Sequence, residues 1–203
     1  MSIIFNLLKK HKISYIVLTG KYDEESYHIE KTSIKKDLDI LLDSTKENII
    51  HHIFNHKNLK HLEDNSFFDT FKNLRIDIYF RSLNVGYYHY FKADTSVFGY
   101  SQYNENVYII YLILDPLLKF SKYHTRHQYR LKMYFNNGIN DEISLLLSDI
   151  IGVKLASYLL KKISQSDFKL SKIFIRLCKI KMLFINGNFV RMFKSRILHE
   201  SYL

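Results

Sequence analysis

Asp37-Leu38-Asp39-Ile40-Leu41-Leu42 and Arg75-Ile76-Asp77-Ile78-Tyr79-Phe80 are short apolar runs that carry carboxylates inside them. Successive side chains of a strand point to opposite faces, so Asp37 and Asp39 are expected to leave one face, about 6.6 Å apart. That spacing lets both reach one metal centre. Asp77, between Ile76 and Ile78, is a lone carboxylate on one face of a second apolar element. A third ligand from a neighbouring strand completes a clamp in which two divalent ions, roughly 3.5–4 Å apart, hold the attacking and leaving oxygens of a phosphoryl transfer. Hard oxygen ligands of this kind select Mg2+ or Mn2+. Asp37, Asp39 and Asp77 are therefore the candidate catalytic and metal-ligating residues. The plainer alternative is that an Asp-x-Asp arises by chance among twenty Asp and Glu residues, with strand-end aspartates simply solvated.

Upstream, Tyr15-Ile16-Val17-Leu18-Thr19-Gly20 reads as a strand ending in glycine. A strand closing on Gly20, an Asp-x-Asp at the head of a second strand and an apolar-Asp-apolar third strand resemble the nucleotidyltransferase superfamily that includes DNA polymerase β. The resemblance covers roughly residues 1–80. It implies an α+β fold, a nucleotidyltransferase-like mixed β-sheet flanked by helices. It further implies transfer of a nucleoside monophosphate from a nucleoside triphosphate (NTP) to a hydroxyl or phosphate acceptor, releasing pyrophosphate. Asp37 and Asp39 would hold both ions; Asp77 would hold the second and help take the acceptor's proton, which needs a carboxylate within hydrogen-bond reach. Thr19, Gly20 and Lys21 would form the phosphate-binding turn, Gly20 permitting close backbone approach because it has no Cβ. Family members carry Gly-Ser or Gly-Gly after the first strand, where this chain has Gly20-Lys21.

A chain of 203 residues, 47% hydrophobic and 25% charged, has the composition of a globular protein able to bury a core. A single cysteine, Cys178, excludes an internal disulfide framework and a cysteine-rich zinc site, and fits a reducing, cytoplasmic setting. Ile3–Leu8 followed by Lys9 and Lys10 carries its charge on the wrong side for a secretory signal and is expected to be a first helix. The longest apolar run, Val107–Leu118, is interrupted by Asp115-Pro116 and falls short of the roughly 20 residues that span a bilayer, so no transmembrane segment is expected.

Charge is unevenly placed. Between Lys154 and Arg196 eleven basic residues face Asp167 alone, a local balance of +10 that equals the net charge of the whole chain. Such polarity concentrates an anionic partner at one end, RNA or an anionic membrane surface, and leaves room for a protein partner. There is no Walker-type phosphate loop, dinucleotide-binding glycine turn or nucleophile elbow, so the ATPase, dehydrogenase and hydrolase classes that use them lack support.

Along the chain, Ser44 or Thr45 can cap a helix carrying Ile49, Ile50, Ile53 and Phe54, and Phe67–Phe80 reads as a strand entered through a hairpin. Tyr87–Phe91 is either a strand buried on both faces or a stacking platform for a nucleobase. Asp115-Pro116 is expected to open a helix running from Leu117 to Phe135 and stopping at Asn136-Asn137-Gly138. A second helix after Asn140 should carry Ile143, Leu146, Leu147, Ile150, Ile151, Leu155, Tyr158 and Leu159 on one core stripe. His52 and His56, four apart, either share a metal or belong with His51 and His61 to a polar helix surface. His124, Arg126, His127 and Arg130 either meet a phosphate or form a solvated basic helix face. By its resemblance to nucleotidyltransferases the chain is expected to divide into a nucleotidyltransferase-like domain over 1–113 and a mostly helical, basic region over 114–203. An enzyme of RNA ends, a toxin of a toxin–antitoxin pair and a glycan-pathway enzyme all remain open, as does a catalytically silent relative that only binds RNA or a protein partner.

Overall fold

A computed structural model describes residues 3–18, 37–45, 56–63, 65–85, 88–92, 104–136, 138–185 and 188–192. The order is α1 (Ile3–Lys10), β1 (Tyr15–Val17), β2 (Asp37–Leu42), β3 (Leu59–Glu63), β4 (Ser66–Asp69), β5 (Leu74–Phe80), β6 (Ser82–Val85), β7 (Tyr88–Lys92), α2 (Glu105–Phe120), α3 (Thr125–Phe135), α4 (Asp141–Ile151), α5 (Val153–Ser164) and α6 (Lys172–Leu183). This is an α+β chain with a mixed five-stranded sheet. It forms two compact units, the first ending in three places, after Gly20, Leu83 and Tyr108.

In the first unit the sheet runs β1-β2-β5-β4-β3, with β2 and β5 parallel and the other pairs antiparallel. The alternation expected of β2 and β5 sends Leu38, Ile40, Leu42, Ile76 and Ile78 to one face. There they meet Leu59, Phe67 and the α1 residues Ile4 and Leu8, one helical turn apart. Each such side chain contributes about 1.5–3 kcal/mol when fully buried. This cluster holds α1 against the sheet and consumes one face, leaving Asp39, Arg75 and Asp77, at the alternate positions, to the other.

The β4–β5 hairpin has its own local cause. Asp69 is fully buried and its Oδ1 accepts from the backbone N–H groups of Phe71 and Lys72, both at 3.0 Å, while Asn73 takes the left-handed conformation at φ 52°. Short polar side chains that bond the backbone two or three residues on are what such turns require.

α2 corrects the expected helix start: it begins at Glu105, just after Asn104, whose Oδ1 accepts from the Val107 N–H at 3.1 Å, and runs straight through Asp115-Pro116. Proline inside a helix costs about 3 kcal/mol. Burial of Leu112, Ile113, Leu114, Leu117 and Leu118 offsets that cost. The chain then breaks at Ser121, with φ 55°, and the Tyr123 hydroxyl donates to the Ile113 carbonyl at 2.9 Å, so α2 and α3 are separate helices. The expected stop holds, with α3 ending at Phe135 and Gly138 at φ 99°.

The long stripe expected after Asn140 is also corrected. Asn140 caps α4 by accepting from the Glu142 N–H at 2.9 Å, but Gly152 at φ 87° ends that helix and starts α5 on a new phase. The buried residues of α5 are Ala156, Leu159, Leu160 and Ile163, and Tyr158 is exposed. In β7 the neighbours Tyr90 and Phe91 are both buried, as a strand covered on both faces requires.

Asn188 is fully buried. Its Oδ1 accepts from the His89 N–H at 2.8 Å, and its Nδ2 donates to the carbonyls of Met182 at 2.6 Å and His89 at 3.2 Å. It ties β7 to the end of α6. Among the described residues no helix is long and apolar enough to cross a membrane.

Candidate metal and nucleotide site

The parallel pairing of β2 with β5 sets Asp37 opposite Arg75, Leu38 opposite Ile76 and Asp39 opposite Asp77. Two of the three candidate carboxylates therefore occupy facing positions on adjacent strands, and the third position lies two residues before Asp39. Both Asp39 and Asp77 are half-buried. Facing positions lie about 4.7–4.9 Å apart across neighbouring strands. That is metal-bridging separation for carboxylates that turn toward one another.

Asp77 is engaged from two sides. Ser66 Oγ donates to Asp77 Oδ1 at 2.5 Å, Arg75 Nε donates to the same oxygen at 3.1 Å, and Arg75 Nη2 reaches Ser66 Oγ at 3.1 Å. The antiparallel β4–β5 register creates this triangle by placing Ser66 opposite Asp77. Arg75 supplies positive charge beside a pair of carboxylates, and Ser66 fixes the orientation of the Asp77 carboxyl. Neither residue was singled out from the sequence. Arg75 had a signal, two positions before Asp77 on a strand; Ser66 had none, because its role depends on the pairing of β4.

β1 runs toward the same place. Beyond its last paired residue the Leu18 N–H still donates to the Asp39 carbonyl at 2.8 Å, so Leu18 lies beside Asp39. Thr19, Gly20 and Lys21 lie outside the described residues, as do His51, His52 and residues 46–55 of the expected capped helix. The side chain of Asp37 is likewise outside them. Among the described residues no group of three or more His, Cys, Asp or Glu side chains gathers to hold a metal. Asp39 and Asp77 are a fitting donor pair all the same, since Mg2+ is commonly held by one or two carboxylates together with substrate phosphates.

The basic cluster of the second unit is not a solvated face. His127 and Arg130 are buried, each 7% exposed, and His124 packs its ring 5.8 Å from that of His127. Burial, followed by the charges of Arg126 and Arg130, pushes the His127 imidazole down to about 3. His127 is thus neutral at physiological pH, and its Nδ1 has no hydrogen-bond partner. Cys178 is buried, which drives its thiol up to about 12 and makes it inert rather than nucleophilic.

Comparisons with protein-family models, with curated proteins and with solved structures found no match to this chain.

Proposed function

We propose that this chain is a metal-dependent nucleotidyltransferase, moving a nucleoside monophosphate from an NTP to a hydroxyl or phosphate acceptor and releasing pyrophosphate. The observation that carries the reading is the pairing of Asp39 with Asp77 across parallel strands, with Asp37 two positions away. The position of Leu18 beside Asp39, at the end of the described part of this segment, supports it.

In this reading Asp37 and Asp39 hold two Mg2+ or Mn2+ ions and Asp77 holds the second. When bound, such ions would neutralise charge on the triphosphate and on the attacking and leaving oxygens. Asp77 also accepts the acceptor's proton, and Ser66 keeps its carboxyl turned for that task. Arg75 offsets the repulsion of the paired carboxylates when no cation lies between them. Thr19 and Gly20 bring backbone N–H groups to the phosphates, and Lys21 adds a positive charge there. The basic region after Lys154 draws an anionic partner, which suits an acceptor such as RNA or work close to an anionic membrane surface.

One observation favours a second reading, a catalytically silent protein of the same fold that only binds RNA or a partner. Arg75 already bonds the Asp77 oxygen that a metal would use, and a fixed guanidinium makes a complete structural ion pair. Incubation with each α-labelled NTP, in Mg2+ or Mn2+ and with total RNA or cell extract as acceptor, separates the two. Label transferred to an acceptor and abolished by chelator supports the enzyme. No transfer, together with no metal-dependent nucleotide binding, leaves the silent protein.

A further inference from the structure

α6 turns two opposite apolar faces outward from its axis, and among the described residues only one of them is packed. Phe174, Ile175, Cys178 and Met182 are buried in the second unit. On the other side Ile173 is 70% exposed, Leu177 46%, Ile180 50% and Phe184, the residue that caps the helix, 75%. At 100° per residue these four fall within an arc of about 60°, on a ridge about 17 Å long. Exposed apolar residues scattered singly need no explanation, whereas an aligned row marks an interaction surface. The row continues past the helix end, where Phe189 and Val190 are exposed and the Phe184 and Phe189 rings stack at 6.3 Å, 11° from parallel.

The flanks of the ridge are cationic. Lys172, Arg176 and Lys179 run along one side and Lys181 stands on the other, and from Phe168 to His199 the sequence contains no Asp or Glu. We propose that this ridge is a docking surface for an anionic lipid bilayer, lying in the plane of the interface with Ile173, Leu177, Ile180 and Phe184 in the acyl boundary and the flanking cations among the headgroup phosphates. An amphipathic helix seated this way sinks its apolar side roughly 5–10 Å, the depth of one layer of side chains. Because the opposite face of α6 is packed into its own unit, only a helix side enters the interface, and the protein lies on the membrane without crossing it.

Charge and chemistry select this occupant over the others. A second copy of the chain would bring the same cations against these, and like charges at an interface repel. RNA would find cations at the flanks but four side chains at the centre that offer no donor to a phosphate, three of them aliphatic with no ring for stacking. An anionic bilayer satisfies both parts at once: hydrocarbon under the ridge and negative charge beside it. The inference is independent of the chemistry assigned to the carboxylate pair.

Flotation of the full chain with vesicles of phosphatidylcholine, with and without phosphatidylserine, tests it. Binding is expected only when phosphatidylserine is present, and is expected to weaken as salt is raised. The double variant Ile180→Ser, Phe184→Ser should lose binding about tenfold or more through lost apolar burial, and Lys172→Glu with Arg176→Glu and Lys181→Glu should lose it at least as strongly. Lys132→Glu, exposed on α3, should bind like the wild type and serves as the charge control. All of these sites are exposed, so circular dichroism and Tm should be unchanged. The proposal is overturned if the full chain floats with neither vesicle, if it floats equally with both, or if the Ile180→Ser, Phe184→Ser variant floats undiminished. Self-association or RNA binding that this double variant abolishes, with no vesicle binding, overturns it equally.

Discussion

Asp77 is held by two neighbours that do different jobs, and substitutions can separate them. Ser66 orients the carboxyl through one short hydrogen bond. Ser66→Ala should therefore lower metal affinity or turnover about 10–100-fold, as loss of a residue that positions a ligand commonly does, while Tm without metal barely changes. Arg75 instead holds the oxygen that a metal would need. Arg75→Gln should cost no more than about 1 kcal/mol without metal, since the pair is partly solvated. It should tighten Mn2+ binding, measured by calorimetry, if the carboxylates are a metal site; unchanged or absent Mn2+ binding would favour the silent protein. If the pair holds a metal, Mg2+ with NTP should raise Tm through stabilisation of about 2.7 kcal/mol at a hundredfold excess over Kd, and Asp39→Asn and Asp77→Asn should each abolish that rise. Asp43→Asn is the control. It lies past the end of β2, four residues and about 13 Å along the chain from Asp39, with its N–H committed to Ser14. Asn188 is a residue of another kind, since its amide fills three backbone partners in a buried place. Asn188→Ala should destabilise the second unit by about 1–3 kcal/mol, read as a lower urea midpoint with little change in slope.

At the scale of the element, what could be read from sequence divides by what causes each element. β2 and β5 were legible almost to the residue, because alternation of carboxylates with Leu and Ile is a property of the strand itself. α1 and the β4–β5 hairpin were legible for the same local reason. The carboxylates of the site could be named, but their pairing could not, because a parallel register depends on strands distant in sequence. The start of α2 was misplaced because Asp115-Pro116 is a strong local signal that burial of the surrounding leucines overrides. The stripe beyond Ile151 was misphased because Gly152 turns the chain without a break in hydrophobic spacing. That glycine has open space where a Cβ would go, so only its backbone conformation matters. Gly152→Ala should cost about 1–3 kcal/mol through strain alone, seen as a lower Tm; an unchanged Tm would show that α4 and α5 can join in another way.

For the whole molecule, buried His127 and half-buried His89 contribute to the response to acid. His127 stays neutral down to about 3, held there by burial and by Arg126, Arg130, His124 and Lys119, and His89 to about 4 through burial and Arg191. The unfolded chain takes up these protons near 6.5. Stability is therefore fully present above that pH and is lost as pH falls from 6.5 toward 4, by at most about 1.4 kcal/mol per pH unit for each histidine. His127→Phe should flatten the fall of Tm over that window. A profile as steep as the wild type's would show that His127 is not the group responsible.

Asp39 and Asp77 sit side by side, yet they lie 38 positions apart in the chain, and β2 and β5 run parallel. No tight turn can join such strands, so their meeting is a slow, long-range loop closure that follows the quick local hairpin of β4 and β5. The carboxylate pair is therefore expected to be among the last features of the first unit to be assembled as the chain folds, so that a ligand for it would find nothing to bind in the transition state. In stopped-flow experiments Mg2+ should leave the refolding rate unchanged and act entirely by slowing unfolding, giving the site the character of a latch closed after the fold is made.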